Sequence, residues 1–115
     1  MAPHSEPITV VIVAESADVR DRLVAFVAGL PGVEVVGQAA SAHDAIEAVR
    51  ILHPRAMIVD VVLPGSEGPD LLRRIKEVDP ASILIALVNQ TDCRFRTACL
   101  EAGAKILLDK SLLIG

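Results

Sequence analysis

Three residues of this chain pair reactive chemistry with a telling position. Asp60 closes the apolar run Ala56–Asp60 and is followed by Val61-Val62-Leu63-Pro64-Gly65-Ser66-Glu67-Gly68. Glu15 follows the apolar run Ile8–Val13, and Lys110 follows a shorter run that ends at Asp109. Two carboxylates that meet in space can hold a small hard cation, and an ammonium beside them can hold a phosphate. An aspartate carboxylate is also a nucleophile that can form an acyl phosphate. The remaining candidates are weaker. His43 and His53 fall on or at the end of a helical pattern and read as solvated or capping residues, and His4 lies near the N-terminus. Cys93 and Cys99 are six apart on a helical pattern, which puts them on different faces and argues against a bridge.

Chemistry at Glu15, Asp60 and Lys110 needs a fold that brings three distant parts of the chain together. Ile8–Val13, Ala56–Asp60 and Ile83–Val88 are short, β-branched-rich runs that read as buried strands, and Val33–Ala39 and Lys105–Leu108 are weaker ones. Helical patterns lie between them. Ser16 caps the first, with Val19, Leu23, Phe26, Val27 and Leu30 inward and Pro31-Gly32 as its stop. Ser41 caps the second, with Ala45, Ile46, Val49 and Leu52 inward and His53-Pro54 beyond. Pro69 opens the third, with Leu71, Leu72, Ile75 and Val78 inward and a basic outer face that includes Arg73, Arg74 and Lys76. Thr91 caps the fourth, with Phe95, Cys99 and Ala102 inward and Gly103 after its end. Strict alternation of strand and helix predicts an α/β fold: a doubly wound parallel five-stranded sheet of flavodoxin-like type. With strand order 2-1-3-4-5, Glu15 and Asp60 converge at the strand ends where ligands bind in such sheets, and Lys110 approaches from the far side. After the last strand only Lys110–Gly115 remains, so the fifth helix is expected to be truncated or absent.

Composition narrows the function. The chain has 115 residues, a hydrophobic content of 52% and a net charge of -4, which fits one domain with a real core. Aromatics are 2% of the chain, so the core is aliphatic and there is no platform for stacking nucleic-acid bases. An acidic chain without a basic cluster predicts no nucleic-acid partner. No apolar run reaches the roughly 18 residues of a membrane span, and no signal peptide is evident, so a reduced, cytoplasmic protein is expected.

Taken together, Ile58-Val-Asp60-Val-Val-Leu-Pro64-Gly-Ser-Glu-Gly68, Glu101-Ala-Gly103-Ala104 and Lys110 resemble the receiver domain of the two-component response-regulator family over residues 8–111. The resemblance implies a receiver domain over 8–115 after a disordered tail, 1–7. It implies Asp60 as phosphoryl acceptor, Lys110 as phosphoryl contact, and Mg²⁺ held by Glu15, Asp60 and the backbone carbonyl of Val62. It also implies a histidine kinase or a histidine phosphotransfer protein as phosphoryl source, with no enzyme activity of the chain's own.

The departures from the family pattern matter as much. Ala14-Glu15 stands where two acids are usual, so Mg²⁺ binding is expected to be weak. Val88 occupies the place of a hydroxyl residue, Leu107 that of the switch aromatic, and Ser111 that of a frequent proline. Asn89 takes a position beside the site that is usually small. Valine has nearly the shape of threonine but cannot donate to a phosphoryl oxygen. Two functions follow: an atypical, weakly phosphorylated receiver, or a pseudo-receiver acting as a phosphorylation-independent binding or dimerisation module. A flavodoxin-like flavin or cobalamin binder is disfavoured by the lack of aromatics and of an Asp-x-His-x-x-Gly stretch. The apolar Leu112-Leu113-Ile114 and a sheet face lacking its last helix predict either a homodimer or a longer native chain.

Overall fold

In the computed structural model, which describes residues 6–63, 66–88 and 93–113, strand and helix alternate as the sequence predicts. The main strands are β1 (Ile8–Val13), β2 (Val33–Ala39), β3 (Ala56–Asp60), β6 (Ile83–Val88) and β7 (Ala104–Asp109). They form one parallel sheet in the order β2-β1-β3-β6-β7, which is the expected 2-1-3-4-5. Two short strands, β4 (Val62–Leu63) and β5 (Ser66–Glu67), pair antiparallel just after Asp60 and form a small hairpin that no sequence pattern announced.

The helices are α1 (Ala17–Ala28), α2 (Ala42–Leu52), α3 (Gly68–Val78) and α4 (Cys93–Glu101). Two predicted caps are in place: the Ser16 hydroxyl accepts from the Val19 N–H at 3.3 Å and the Ser41 hydroxyl from the Asp44 N–H at 3.2 Å. α1 ends at Gly29, before the predicted Pro31-Gly32 stop. α2 ends at His53, whose φ of 45° is left-handed, as suits a residue that must leave the helix before Pro54. α3 begins one residue ahead of Pro69. The cap assigned to Thr91 lies outside the described residues, as does the tail over 1–5 and the Asn89 position.

Three helices cover one face of the sheet and one covers the other. α2, α3 and α4 pack on Val11, Val13, Met57, Val59, Leu84, Ala86 and Val88. α1 packs on the alternate residues, Val10, Ile12, Ala56, Ile58 and Leu87, through Leu23 and Val27. β1 and β3 are covered on both faces, which is why they read as continuous apolar runs rather than alternating ones, while at the β7 edge Ile106 stays exposed. Phe26 and Leu30 were expected inward but are 59% and 41% exposed. A lone helix presents only a narrow stripe to the sheet, and Leu23 and Val27 use it up. Leu52, also expected inward, is half exposed at the end of α2. Of the basic residues on α3, Lys76 turns back instead and donates to the carbonyls of Pro80 and Ser82 at 2.8 and 2.9 Å, closing the turn into β6. The described residues after β7 form a single 3-10 turn, Lys110–Leu113, which touches α1.

Candidate functional site

The sheet register places the site. Val13 lies beside Val59 in the β1–β3 pair, so the next residues along, Ala14 and Asp60, come side by side where the two strands end. Asp60 itself pairs with Leu87 of β6, and Val88 pairs with Asp109 of β7. Lys110, the next residue, therefore starts two strands away from Asp60, a separation of roughly 10 Å. Its long side chain crosses the end of β6 and brings Nζ to 2.6 Å from Asp60 Oδ2. A shorter cation could not span that gap.

Asp60 is 3% exposed. A carboxylate so buried needs partners, and it has two. Lys110 engages Oδ2, and the backbone N–H of Val62 donates to Oδ1 at 3.0 Å. That amide contact was missed from sequence, because any residue two after an aspartate can supply it. The loop that supplies it is held in a tight path: at Gly68 a Cβ would stand 2.5 Å from the Cβ of Val61. Val61 and Leu63 point into the core, while Val62 is exposed, so the apolar character of this loop is mostly packing.

Glu15 sits on the exposed loop between β1 and α1. Its side chain has no hydrogen-bond or ion-pair partner among the described residues. The structure thus joins Asp60 and Lys110 directly, while Glu15 lies on the loop that follows the neighbouring strand β1, two residues past its end. Among the described residues no group of three or more His, Cys, Asp or Glu stands close enough to hold a metal ion. A cation here would rest on two carboxylates, backbone oxygen and water. These are hard oxygen donors, and the set suits Mg²⁺, which keeps several of its waters in protein sites. After its two contacts the Asp60 carboxylate still has free lone pairs for it.

Around this polar pair the frame is apolar. Val88, at the end of β6 beneath the path of Lys110, is fully buried, and Leu107 packs against the same core cluster. On the far side Ala14 is fully buried. Cys99 of α4 lies in the same cluster as a free thiol, and burial pushes its pKa up. His53 is well exposed, with Nδ1 3.9 Å from Asp79 at the opposite end of the sheet from Asp60, so it has no part in the site.

Comparison with known proteins shows the family of the chain. The sequence model of the response regulator receiver domain matches residues 10–114. The chain is 33% identical over 106 residues to protein-glutamate methylesterase/protein-glutamine glutaminase 3 of Myxococcus xanthus, which covers 90% of this chain and 30% of that protein. It is 36% identical over 107 residues to the corresponding protein 4 of Geobacter metallireducens, again over 90% of this chain and 30% of the relative. The chain thus spans less than a third of the length of these relatives. Among solved structures, the response regulator domain of Thermotoga maritima CheB superposes with a TM-score of 0.80 at 25% identity, covering 90% of this chain and 78% of that one. A LuxR-family two-component response regulator from Aurantimonas superposes with a TM-score of 0.85 at 28% identity, covering 91% and 75%. With a family match over nearly the whole chain and a buried aspartate–lysine pair at the strand ends, this chain belongs to the response regulator receiver domain family.

Proposed function

We propose that this chain is a receiver that accepts a phosphoryl group on Asp60 from a histidine kinase or a histidine phosphotransfer protein. The observation that carries the reading is the 2.6 Å contact between Lys110 Nζ and Asp60 Oδ2 inside an apolar frame. A carboxylate oxygen of Asp60 attacks phosphorus, the bond from phosphorus to the donor imidazole nitrogen breaks, and its electron pair leaves with that nitrogen. Lys110 then exchanges its bond to the carboxylate for one to a phosphoryl oxygen, with its charge kept at the same place. The Val62 N–H holds the other carboxylate oxygen, which fixes the plane of the group. Glu15, Asp60 and the backbone carbonyl of Val62 would hold Mg²⁺, which when bound offsets the repulsion between an anionic nucleophile and an anionic phosphoryl group. With one acid, Glu15, where two are usual, that binding is weak.

The same reading makes the chain a cytoplasmic signalling domain with no enzyme activity of its own and no nucleic-acid or membrane partner. Its net charge of -4 is unfavourable for a polyanionic nucleic-acid partner, and among the described residues no helix is long and apolar enough to cross a membrane. Treatment with acetyl phosphate and Mg²⁺, followed by intact mass, tests the acceptor role: one phosphoryl group is expected on the wild type and none on Asp60→Asn.

A second reading has its own support. Val88 and Leu107 are packed into the apolar core where the family's hydroxyl and aromatic would couple phosphorylation to α4 and β7. A chain built this way acts as a pseudo-receiver, a binding or dimerisation module that does not depend on phosphate. Exposed Ile8, Phe26 and Ile106 supply apolar surface for a homodimer. Sedimentation at micromolar concentration, with and without phosphodonor, separates the two: a dimer indifferent to phosphodonor favours the module.

A further inference from the structure

The loop that carries Glu15 is held by one guanidinium. Arg20 lies in the opening turns of α1, with its own N–H donating to the Ser16 carbonyl at 3.0 Å. Its side chain reaches back, and Nη1 donates both to the carbonyl of Ala14 at 2.8 Å and to that of Glu15 at 2.9 Å. These two carbonyls belong to the peptide groups on either side of the Glu15 Cα. Holding both peptide planes fixes φ and ψ of Glu15, and so the direction in which its side chain leaves the backbone. The loop is tied on each side as well: the Ala14 N–H donates to the Ala39 carbonyl at 3.0 Å, and Ser16 caps α1. Glu15 has no side-chain partner of its own among the described residues, so the backbone contacts of Arg20 are what set the direction of its Cα–Cβ bond.

We propose that Arg20 is a positioning residue for the Mg²⁺ site, acting through Glu15. The proposal rests on the reading of Glu15 as a metal ligand. Where a second carboxylate would usually share the work, this chain has Ala14, so the aim of Glu15 carries more weight. Groups that orient a metal ligand typically change metal affinity by roughly tenfold or more when removed.

Charge and position make opposite demands here, which makes the proposal easy to test. Arg20 is a cation close to a cation site. If it acted only through its charge, removing it would tighten Mg²⁺ binding. If it positions Glu15, removing it loosens binding. The experiment is calorimetric titration of the full chain with Mg²⁺ alone, without phosphodonor, for the wild type, Arg20→Met, Arg20→Lys, Glu15→Gln and the double variant Glu15→Gln/Arg20→Met. Thermal melts run beside it to show that each is folded. Arg20→Met is expected to bind about tenfold more weakly. Arg20→Lys keeps the charge but has a shorter reach, and it is expected to be weakened too. The double variant is expected to bind no more weakly than Glu15→Gln, since the effect runs through that residue. Unchanged or tighter binding in Arg20→Met, or losses that add in the double variant, would overturn the proposal while leaving the metal site intact. A wild type that binds no Mg²⁺ would overturn both. If Arg20→Met does not fold, Arg20→Gln takes its place with the same expected loss.

Discussion

At the end of β3 the buried residue is a carboxylate with a lysine on it; one strand over, at the end of β6, it is a valine. The two positions are neighbours in the sheet, and in a receiver both belong to one device. The first takes the phosphoryl group and the second reports it. In this chain the first position keeps a carboxylate with its lysine, and the second has no hydroxyl. Val88 and Leu107 pack as ordinary core residues, whereas Asp60 keeps an ion pair in surroundings that would suit a leucine. Accepting a group and signalling its arrival rest on separate side chains, so one can persist without the other.

The sharpest way to break this contrast is at Lys110. Replacing it by Met leaves a buried carboxylate without its cation, which for a partly exposed pair is expected to cost about 3 kcal/mol. Urea denaturation measures it. Asp60→Asn is expected to cost less than about 1 kcal/mol, since the amide oxygen still accepts from Val62 and a partly exposed lysine can turn to water. The double variant Asp60→Asn/Lys110→Met should recover most of the loss. Equal losses for both single variants would mean that the pair matters through packing and not through charge.

At the other member of the pair, Val88→Thr places a hydroxyl in an apolar cluster and is expected to cost roughly 1–2 kcal/mol in the unmodified protein. Combined with Leu107→Tyr it is expected to give chemical-shift changes on phosphorylation that spread through residues 93–108, larger than those of the wild type. Large changes across that stretch in the wild type would contradict the separation of acceptance from signalling.

Restoring a second acid at the strand end should sharpen the acceptor side. Ala14→Asp is expected to tighten Mg²⁺ binding about tenfold, or roughly 1.4 kcal/mol, by adding a hard anionic oxygen donor. Titration of both proteins decides it, and no change would show that charge count does not limit this site.

The smallest effect concerns Cys99. Burial raises its thiol pKa, so the neutral thiol is favoured in the fold. The stability it confers is fully present below the thiol's unfolded value and is lost as pH rises through the raised folded value. The wild type should therefore lose stability faster than Cys99→Ala as pH rises above roughly 8.5. Parallel slopes would show that the thiol does not ionise in this range.

Much of this was legible before any coordinates. The strands of the sheet announce themselves because a parallel sheet is buried on both faces, and the caps at Ser16 and Ser41 because a hydroxyl must satisfy open amides. Asp60 and Lys110 were found by where they end strands. The rest depends on tertiary geometry. Phe26 and Leu30 have helical spacing but no sheet beneath them, and periodicity does not say how wide a stripe the neighbouring strands will cover. The β4–β5 hairpin and the Val62 amide on Asp60 are backbone features with no side-chain signature. Arg20 reads as one more charge on a solvated helix; only the path of the loop shows that its guanidinium meets two carbonyls.

The central claim is that Asp60 accepts a phosphoryl group with Lys110 poised on it. Intact mass after acetyl phosphate, with and without Mg²⁺, tests it most directly on the wild type, Asp60→Asn and Lys110→Met. The account predicts partial, Mg²⁺-dependent addition of one phosphoryl group to the wild type, none on Asp60→Asn and much less on Lys110→Met. A wild type that stays unmodified at saturating Mg²⁺, or an Asp60→Asn variant modified as fully as the wild type, would contradict it.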